Sequence, residues 1–458
     1  METHRRDWRT LPTDNPDTYR CEITETIRRL ELEQRRRSSQ GTHESRQNED
    51  EGTGAGQTSE THENGTEPNG THENGTESNG THEIKRDLFL DIVDVTMAIE
   101  KIPNGASPGP DGVPVCLLKN SKINIARMLV QIYKSSLETG DIPEVLKLAF
   151  VSPIHKGGSR ADPAQYRPIS LTSHVCKVLE RIIRKALVNF LEFNNKMDSD
   201  QHGSRAKRSC LTQLLEHHDE ILKILEDGDN ADLIYLDFAK AFDKCDIGIL
   251  LHKLKGTGIS GKLGRWLHAF LSDRKQTVIV NGKKSKMSQV KSGVPQGTVL
   301  GPLMFLIYIS DIGNNIKSSK KIYVDDTKLK ARIQTENDVE ILQDDIDHLQ
   351  SWAEMNNMKF NGSKFQLLRY GPNESVKEDT FYFTGDGEEI IDRFENLKDL
   401  GVIMNQEATF NDHVTHIEKK VRQKIGWITR SFYTRKTQFM KQIYKSLVIP
   451  HLDYCSQL

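Results

Sequence analysis

Cysteine is scarce in this 458-residue sequence, and no sign of charge dominates: there are six cysteines and the formal net charge is -2. The cysteines (Cys21, Cys116, Cys176, Cys210, Cys245 and Cys455) stand far apart, with no CxxC pair and no Cys/His spacing fit for zinc. That excludes a disulfide scaffold or a zinc module and reads as reduced thiols in an intracellular protein. Long apolar runs are missing too. The most apolar stretch, Val299 to Ile309, contains Pro302 and falls well short of the ~20 residues a membrane helix needs. The opening METHRRDWRT has no apolar core of a signal peptide. A near-zero net charge argues at first against a polyanionic partner, but the charge is unevenly spread. Residues 1–85 hold 11 Lys+Arg against 18 Asp+Glu, which leaves the remainder mildly basic and compatible with phosphate binding.

What is present falls into distinct textures. Ile23, Ile27 and Leu30 share one helical face ahead of the charged run Glu31 to Arg37. Residues 41–84 are low complexity, with THENGTEPNG followed by THENGTESNG, and cannot bury enough apolar surface to offset chain entropy. Disorder is expected over 1–85. The NGT triplets at Asn64, Asn69, Asn74 and Asn79 match the glycosylation pattern but lack a secretory context.

From Leu88 the pattern becomes globular. A helix is expected over LFLDIVDVTMAIEKI with Asp87 as N-cap, then a Pro/Gly-rich loop at 103–114. Further helices are expected over Asn120 to Leu137, Ser170 to Phe193, Cys210 to Leu225 and Glu336 to Asn356, with a buried helix starting at Val299. Leu148 to Ile154 reads as a strand, and 276–293 as a hairpin turning at Asn281-Gly282. DLIYLDFAKAF (232–242) reads as a strand that switches to a helix running toward Leu254. KIYVDDTKLKA (321–331) reads as strand, turn, strand, and 358–371 as a turn before a strand. This order predicts an α+β domain, an antiparallel sheet covered by helices on one face.

The chemistry gathers on three carboxylates. Asp237 ends the strand LIYLD, and Asp325 and Asp326 lie in the tight turn. If the strands are neighbours the three converge. Adjacent carboxylates do not stay ionised together without a cation. Mg²⁺ takes oxygen ligands and shares its shell with phosphates, and two such ions ~3.5–4 Å apart serve nucleotidyl transfer. Each piece alone has an ordinary reading: an Asp-Asp pair forms turns, and an Asp at a strand end caps helices.

Several segments in order change the balance. YLDFAKAFDK (235–244), SGVPQGTVLGPLMFLIYISDI (292–312) and YVDDTKL (323–329) resemble motifs A, B and C of reverse transcriptases from non-LTR, jockey-like retrotransposons. SPGPDGVPVCLLK (107–119), the stretch 152–183, QHGSRAKRSCLTQLL (201–215), NNMKFNGSK (356–364) and LKDLGVIM (397–404) resemble further segments of the same family. The resemblance runs from about Leu88 to Leu458.

The resemblance implies a right-hand polymerase fold: fingers over 86–230, palm over 231–400, and primer grip with a partial thumb over 401–458. It implies an RNA-directed DNA polymerase using Mg²⁺, or Mn²⁺, with an RNA template, a DNA primer and deoxynucleoside triphosphates, in the nucleus or cytoplasm. Asp237, Asp325 and Asp326 would hold metal, with the backbone carbonyl of Phe238. Phe242 would be the steric gate against a 2′-hydroxyl, or simply a core aromatic. Pro295, Gln296 and Gly297 would form a turn approached by the base pair, or an ordinary turn. Lys156 and Arg167 would bind the triphosphate, or be surface charges. Lys364 would protonate pyrophosphate, or be a solvated loop lysine. Gly401 and Val402 would belong to the primer-holding turn, or end a strand.

Ser204 and Lys207 depart from the family's Phe and Gly, Val324 from its Ala, Cys245-Asp246-Ile247 from its Val-Asp-His and Phe365 from its Thr. Little effect is expected at Val324; loss of an aromatic at Ser204 is expected to loosen packing or template contact. The relatives' upstream endonuclease has no counterpart in 1–85, and HLDYCSQL ends inside the expected thumb, so a truncated copy is expected. The alternatives are a catalytically inactive remnant that only binds RNA or an RNA–DNA hybrid, and an interaction protein using its repeat-rich N-terminus.

Overall fold

The computed structural model describes residues 90–371, 381–383 and 389–458. The expected disorder over 1–85, the Ile23/Ile27/Leu30 helix and the Asp87 cap lie outside the described residues. In chain order the main strands are β1 (Leu148–His155), β2 (Tyr166–Thr172), β3 (Asn230–Leu236), β4 (Lys275–Val280), β5 (Ser319–Tyr323), β6 (Asp326–Ile333), β7 (Gln366–Tyr370), β8 (Asp392–Phe394), β9 (Asn396–Asp399) and β10 (Val402–Asn405). Two compact units form, each from separated stretches. One takes the described residues up to Phe190 with Leu254–Lys291 and Gly297–Val299; the other takes Leu191–Lys253, Ser292–Gln296 and Leu300–Leu458.

In the first unit the opening helix is Ile92–Glu100, capped by Asp91, whose carboxylate accepts from the Asp94 N–H at 2.7 Å. An Asx cap satisfies an N–H that the helix leaves unpaired, which fixes this start four residues beyond Asp87. The helix expected from Asn120 is two pieces, Val115–Asn120 and Lys122–Thr139, broken at Ser121 and ended by Gly140 in the left-handed region. Tyr133 and Trp266 are fully buried and each satisfies its polar atom, Tyr133 on the Val175 carbonyl at 2.6 Å and Trp266 on Ser136 Oγ at 3.0 Å.

The helix expected from Ser170 begins only at His174. Residues 170–172 complete β2, which pairs antiparallel with β1, while β4 joins β1 in parallel. Ser173 marks the switch: its Oγ accepts from the N–H groups of Val175 and Cys176 at 3.1 and 3.3 Å. The β4 hairpin turns at Asn281 and Gly282 as expected, both at positive φ.

The second unit is built on a five-stranded sheet ordered β8-β7-β3-β6-β5, antiparallel except for the parallel β8–β7 pair. Central β3 is almost wholly buried on both faces. Ala231 and Leu233 pack with Leu214 and Ile221 of the helix Cys210–Glu226 and with Leu397, Val402 and Met404 of the β9–β10 hairpin. On the opposite face Asp232 is buried in a two-pronged ion pair with Arg369, its neighbour on β7. Past the strand, Phe238 stacks on Phe360 at 4.3 Å and meets Trp352 of the helix Glu336–Met355 edge-on. The α+β class stands.

Beyond β3 the expected long helix is interrupted. Lys240 takes φ +59°, a short turn Ala241–Lys244 follows, and the helix proper is Ile247–Gly256. The break at Cys245 and Asp246 lets the loop after Ser292 dock there: Gly293 N–H donates to Cys245 O and Val294 N–H to Phe242 O, both at 2.8 Å. Gly293 has φ +90°, and a Cβ on it would meet the Asp243 backbone at 2.8 Å, so glycine is required.

Candidate active site

The three expected carboxylates meet at one end of the second unit's sheet. Leu236 pairs with Thr327, so Asp237, the next residue, stands across from Asp326 where the ladder ends. β5 and β6 are joined by a two-residue turn, with Tyr323 paired to Asp326 and Val324 and Asp325 at the tip. Strand pairing explains this convergence across about ninety residues of sequence: the register that buries Leu233 and Leu329 also aligns the strand ends.

Burial and charge crowding raise one of these carboxyls. The Asp326 carboxyl is pushed up to about 6, first by the protein that surrounds it and then by the charges of Asp325, Asp237 and Asp399, with Lys328 opposing. One side of Asp326 stays open to solvent, so the enclosure is partial. Lys364, on the tight turn Gly362–Lys364, places its ammonium 2.7 Å from Asp237 Oδ2 and offsets one of the three charges. The Phe238–Phe360 bridge is flanked by bonds from Ala239 N–H to Lys359 O and from Asn361 N–H to Asp237 O, so this pairing does not use the Phe238 carbonyl.

Beside the carboxylates is a cleft of about 350 Å³, bordered by Asp237, Asp326, Lys364, Lys398 and Leu400. Its floor is a buried ion pair that the sequence pattern did not reveal. Lys328 on β6 bonds Asp399 at the end of β9, and the Tyr235 hydroxyl donates to the same Asp399 oxygen at 3.0 Å. The β9–β10 hairpin turns through Leu400 and Gly401, both at positive φ, and Val402 is fully buried as the first residue of β10. A larger hollow of about 540 Å³ lies at Glu220, Lys330 and Arg332. Lys330 and Arg332 there are already paired, with Glu220 and Asp227, so the carboxylate cleft is the better candidate for chemistry.

Phe242 is half-buried and stacks on Phe305 at 4.4 Å, consistent with either of its expected roles. Gln296 is half-buried. Lys156, Arg167 and Gly297 belong to the first unit. Arg167 on β2 pairs with Ile154, and Lys156, just past β1, bonds through its N–H to Gln165 O at 2.8 Å; both side chains are exposed. Gly297 has φ +107°, and a Cβ on it would meet the Ser170 carbonyl at 2.5 Å. Lys207 also takes positive φ, the conformation its glycine counterpart would adopt freely, and Ser204 is an exposed turn residue rather than a packed one.

Among the described residues no group of three or more His, Cys, Asp or Glu stands ready-made as a metal cage. The donor set still suits a hard divalent ion. Carboxylates gathered at strand ends, one of them with a raised pKa, want a cation, and Mg²⁺ habitually takes few protein ligands and completes its shell with water and phosphate. Among the described residues no helix is long and apolar enough to cross a membrane.

Carboxylates presented at a hairpin tip by paired strands of an α+β sheet are an arrangement that divalent ions and a phosphate-bearing substrate could share. Residues 154–404, over half the chain, match the family model "Reverse transcriptase (RNA-dependent DNA polymerase)", and the chain belongs to that family. Curated relatives that it resembles are named as polymerases of mobile elements. It is 29% identical over 381 residues to the probable RNA-directed DNA polymerase from transposon X-element of Drosophila melanogaster, covering 80% of this chain and 41% of that one. It is 28% identical to the RNA-directed DNA polymerase from mobile element jockey of the same species, with 80% and 41% covered. The probable RNA-directed DNA polymerase from transposon BS is 26% identical, with 80% and 42% covered. The chain thus spans about two fifths of the length of these curated relatives.

Proposed function

We propose that this chain catalyses RNA-directed DNA synthesis, extending a primer on an RNA template with deoxynucleoside triphosphates. The observation that carries the reading is the meeting of Asp237, Asp325 and Asp326 at one sheet end beside an open cleft. Two divalent ions, Mg²⁺ or Mn²⁺, held there would activate the primer 3′-hydroxyl and stabilise the leaving pyrophosphate. Asp237 and Asp325 serve as the principal ligands, with Asp326 and the Phe238 carbonyl in support. Lys364 holds a proton beside Asp237 and donates it to the departing group. Lys156 and Arg167 bind triphosphate, Arg by its two-pronged geometry. Phe242 bars a 2′-hydroxyl, and Gln296 and Gly297 form the turn under the new base pair.

Residues 86–230 act as fingers, 231–400 as palm, and 401–458 as primer grip and thumb. The chain works inside the cell, in nucleus or cytoplasm.

The test is primer extension on poly(rA)/oligo(dT) with Mg²⁺ or Mn²⁺, comparing the parent with an Asp325→Ala, Asp326→Ala variant. Extension by the parent and a loss of at least about a thousandfold in the variant are expected, since the ligands of both ions are removed. A folded parent that binds template but never extends would sink the reading in favour of a binding-only remnant.

A further inference from the structure

We propose that Gln201 is a positioning residue that clasps the metal-binding turn and holds it in a backbone conformation its own sequence disfavours. The proposal rests on the reading of Asp325 and Asp326 as metal ligands.

The turn carries an internal conflict. Val324 has φ +62°. A β-branched residue meets steric resistance there, and such a conformation persists only when its surroundings impose it. Val324 directly precedes Asp325, so the torsions at 324 aim that carboxylate. If Val324 relaxed to negative φ, Asp325 would leave the sheet end where Asp237 and Asp326 meet.

Gln201 supplies the constraint. Its side chain is buried, and its amide spans the turn backbone. Oε1 accepts from the Val324 N–H at 2.9 Å and from the Gly203 N–H at 2.7 Å, while Nε2 donates to the Val324 carbonyl at 3.3 Å. Both backbone polar groups of the strained residue are therefore bonded to one side chain, 123 residues away in sequence. The clasp is itself fixed. His202 N–H donates to Ile322 O at 2.9 Å and Ile322 N–H to Asp200 O at 3.0 Å, so residues 200–202 run as a short parallel strand along the free edge of β5. Gly203 completes the fit, since a Cβ there would lie 2.4 Å from Val324 Cγ2 and 2.5 Å from its nitrogen. The Gln-His-Gly stretch and the Asp-Asp turn are thus one device.

The test uses the full chain with Mn²⁺ as probe, measuring Mn²⁺ binding by electron paramagnetic resonance and amide exchange over residues 322–326. Gln201→Ala should weaken Mn²⁺ binding about tenfold, the worth of two or three lost hydrogen bonds at a turn that must be reordered, and speed exchange at Val324. Gln201→Glu keeps the acceptor but loses the donor to the Val324 carbonyl, so it should fall between the two. Val324→Gly added to Gln201→Ala should recover part of the lost affinity, because glycine takes positive φ without strain. Leu349→Ala, a core change far along the sequence, should lower the melting temperature without moving the Mn²⁺ midpoint.

The proposal is overturned if Gln201→Ala leaves both midpoint and exchange at parental values. It is also overturned if Leu349→Ala weakens Mn²⁺ binding as much at equal loss of stability. If the parent and its Asp325→Ala, Asp326→Ala variant bind Mn²⁺ alike, the metal reading fails instead, while exchange at Val324 still decides whether Gln201 holds the turn.

Discussion

Replacing Asp399 by Asn isolates what the buried pair with Lys328 contributes. Only 3% of the Lys328 side chain and 5% of the Asp399 side chain are exposed, and the Tyr235 hydroxyl shares the carboxylate. Asn retains an acceptor for Tyr235 but no charge, so an ammonium is left buried without a counter-ion. Breaking a buried pair from one side costs about 3–5 kcal/mol, and the retained acceptor argues for the lower end, about 3 kcal/mol. Lys328→Met strands the carboxylate and should cost a similar amount. The double variant Lys328→Met, Asp399→Leu leaves only the Tyr235 hydroxyl unsatisfied, at about 1–3 kcal/mol. The coupling energy should therefore reach several kcal/mol, on the order of 4, in a double-mutant cycle followed by urea unfolding.

The pH dependence gives an independent check. Burial already holds the Lys328 amine below the usual lysine range, and Asp399 opposes that shift. Without Asp399 the folded-state value falls further below the unfolded one. The folded state then favours the neutral amine, whose stabilising contribution is full above the unfolded pKa, about 10.4, and is lost as pH falls through the folded value. The deficit of Asp399→Asn should be greatest near neutrality and shrink toward pH ~10. Asp399 also anchors the hairpin end that brings Lys398 and Leu400 to the cleft, so the primer KM should rise along with the loss of stability. Additive single-variant costs below about 1 kcal/mol each, the worth of an exposed pair, would refute the argument.

Three further outcomes follow from the carboxylate cluster and from Phe242. With Asp326 titrating near 6, cations and protons compete for the site: Mn²⁺ affinity should be level above pH ~7 and fall about tenfold per unit once the proton dominates. The same carboxyl, raised from 3.8, favours the folded state below about pH 4 and loses that contribution above about 6; partial exposure limits it to under ~1 kcal/mol, readable as a small rise in metal-free stability on acidification. Phe242→Ala should increase ribonucleotide incorporation by about 10-fold or more, the scale of discrimination by a steric pocket, and unchanged sugar selectivity in an active variant would make Phe242 a packing residue on Phe305.

Local signals carried much of this site. The strand–turn–strand over 321–331 was legible because alternation is interrupted by two turn-forming aspartates, and the Asn281–Gly282 hairpin because its turn demands positive φ. The start of the helix at His174 was not, because Pro168 to Val178 is apolar enough to read either way, and only the Ser173 cap and the pairing with β1 decide it. Lys321, Lys328 and Lys330 look like exposed strand charges in sequence, yet all three are buried and paired with acids brought in from the helix Cys210–Glu226, from Asp200 or from Asp399. Such pairings depend on which elements meet in space, and no periodicity encodes them. The same holds for Gln201 and Val324: the motif resemblance marked the glutamine's neighbourhood but gave no reason for the residue.

These long-range contacts share an electrostatic logic. Asp232 pairs with Arg369 within the sheet and Lys328 pairs with Asp399 of the β9–β10 hairpin, so these charges largely cancel. At the tip three carboxylates gather, with the Lys364 ammonium bonded to Asp237. A negative tip repels the phosphates of a polyanionic substrate, and the repulsion is strongest where the catalytic geometry is needed. Divalent cations would reverse the sign locally and let carboxylate and phosphate share a ligand shell, which makes the proposed chemistry conditional on metal rather than merely assisted by it. It also explains why the turn requires an external clasp: with like charges concentrated at its tip and Val324 at positive φ, the hairpin gains little from its own two residues and depends on Gln201 to stay closed before any cation arrives.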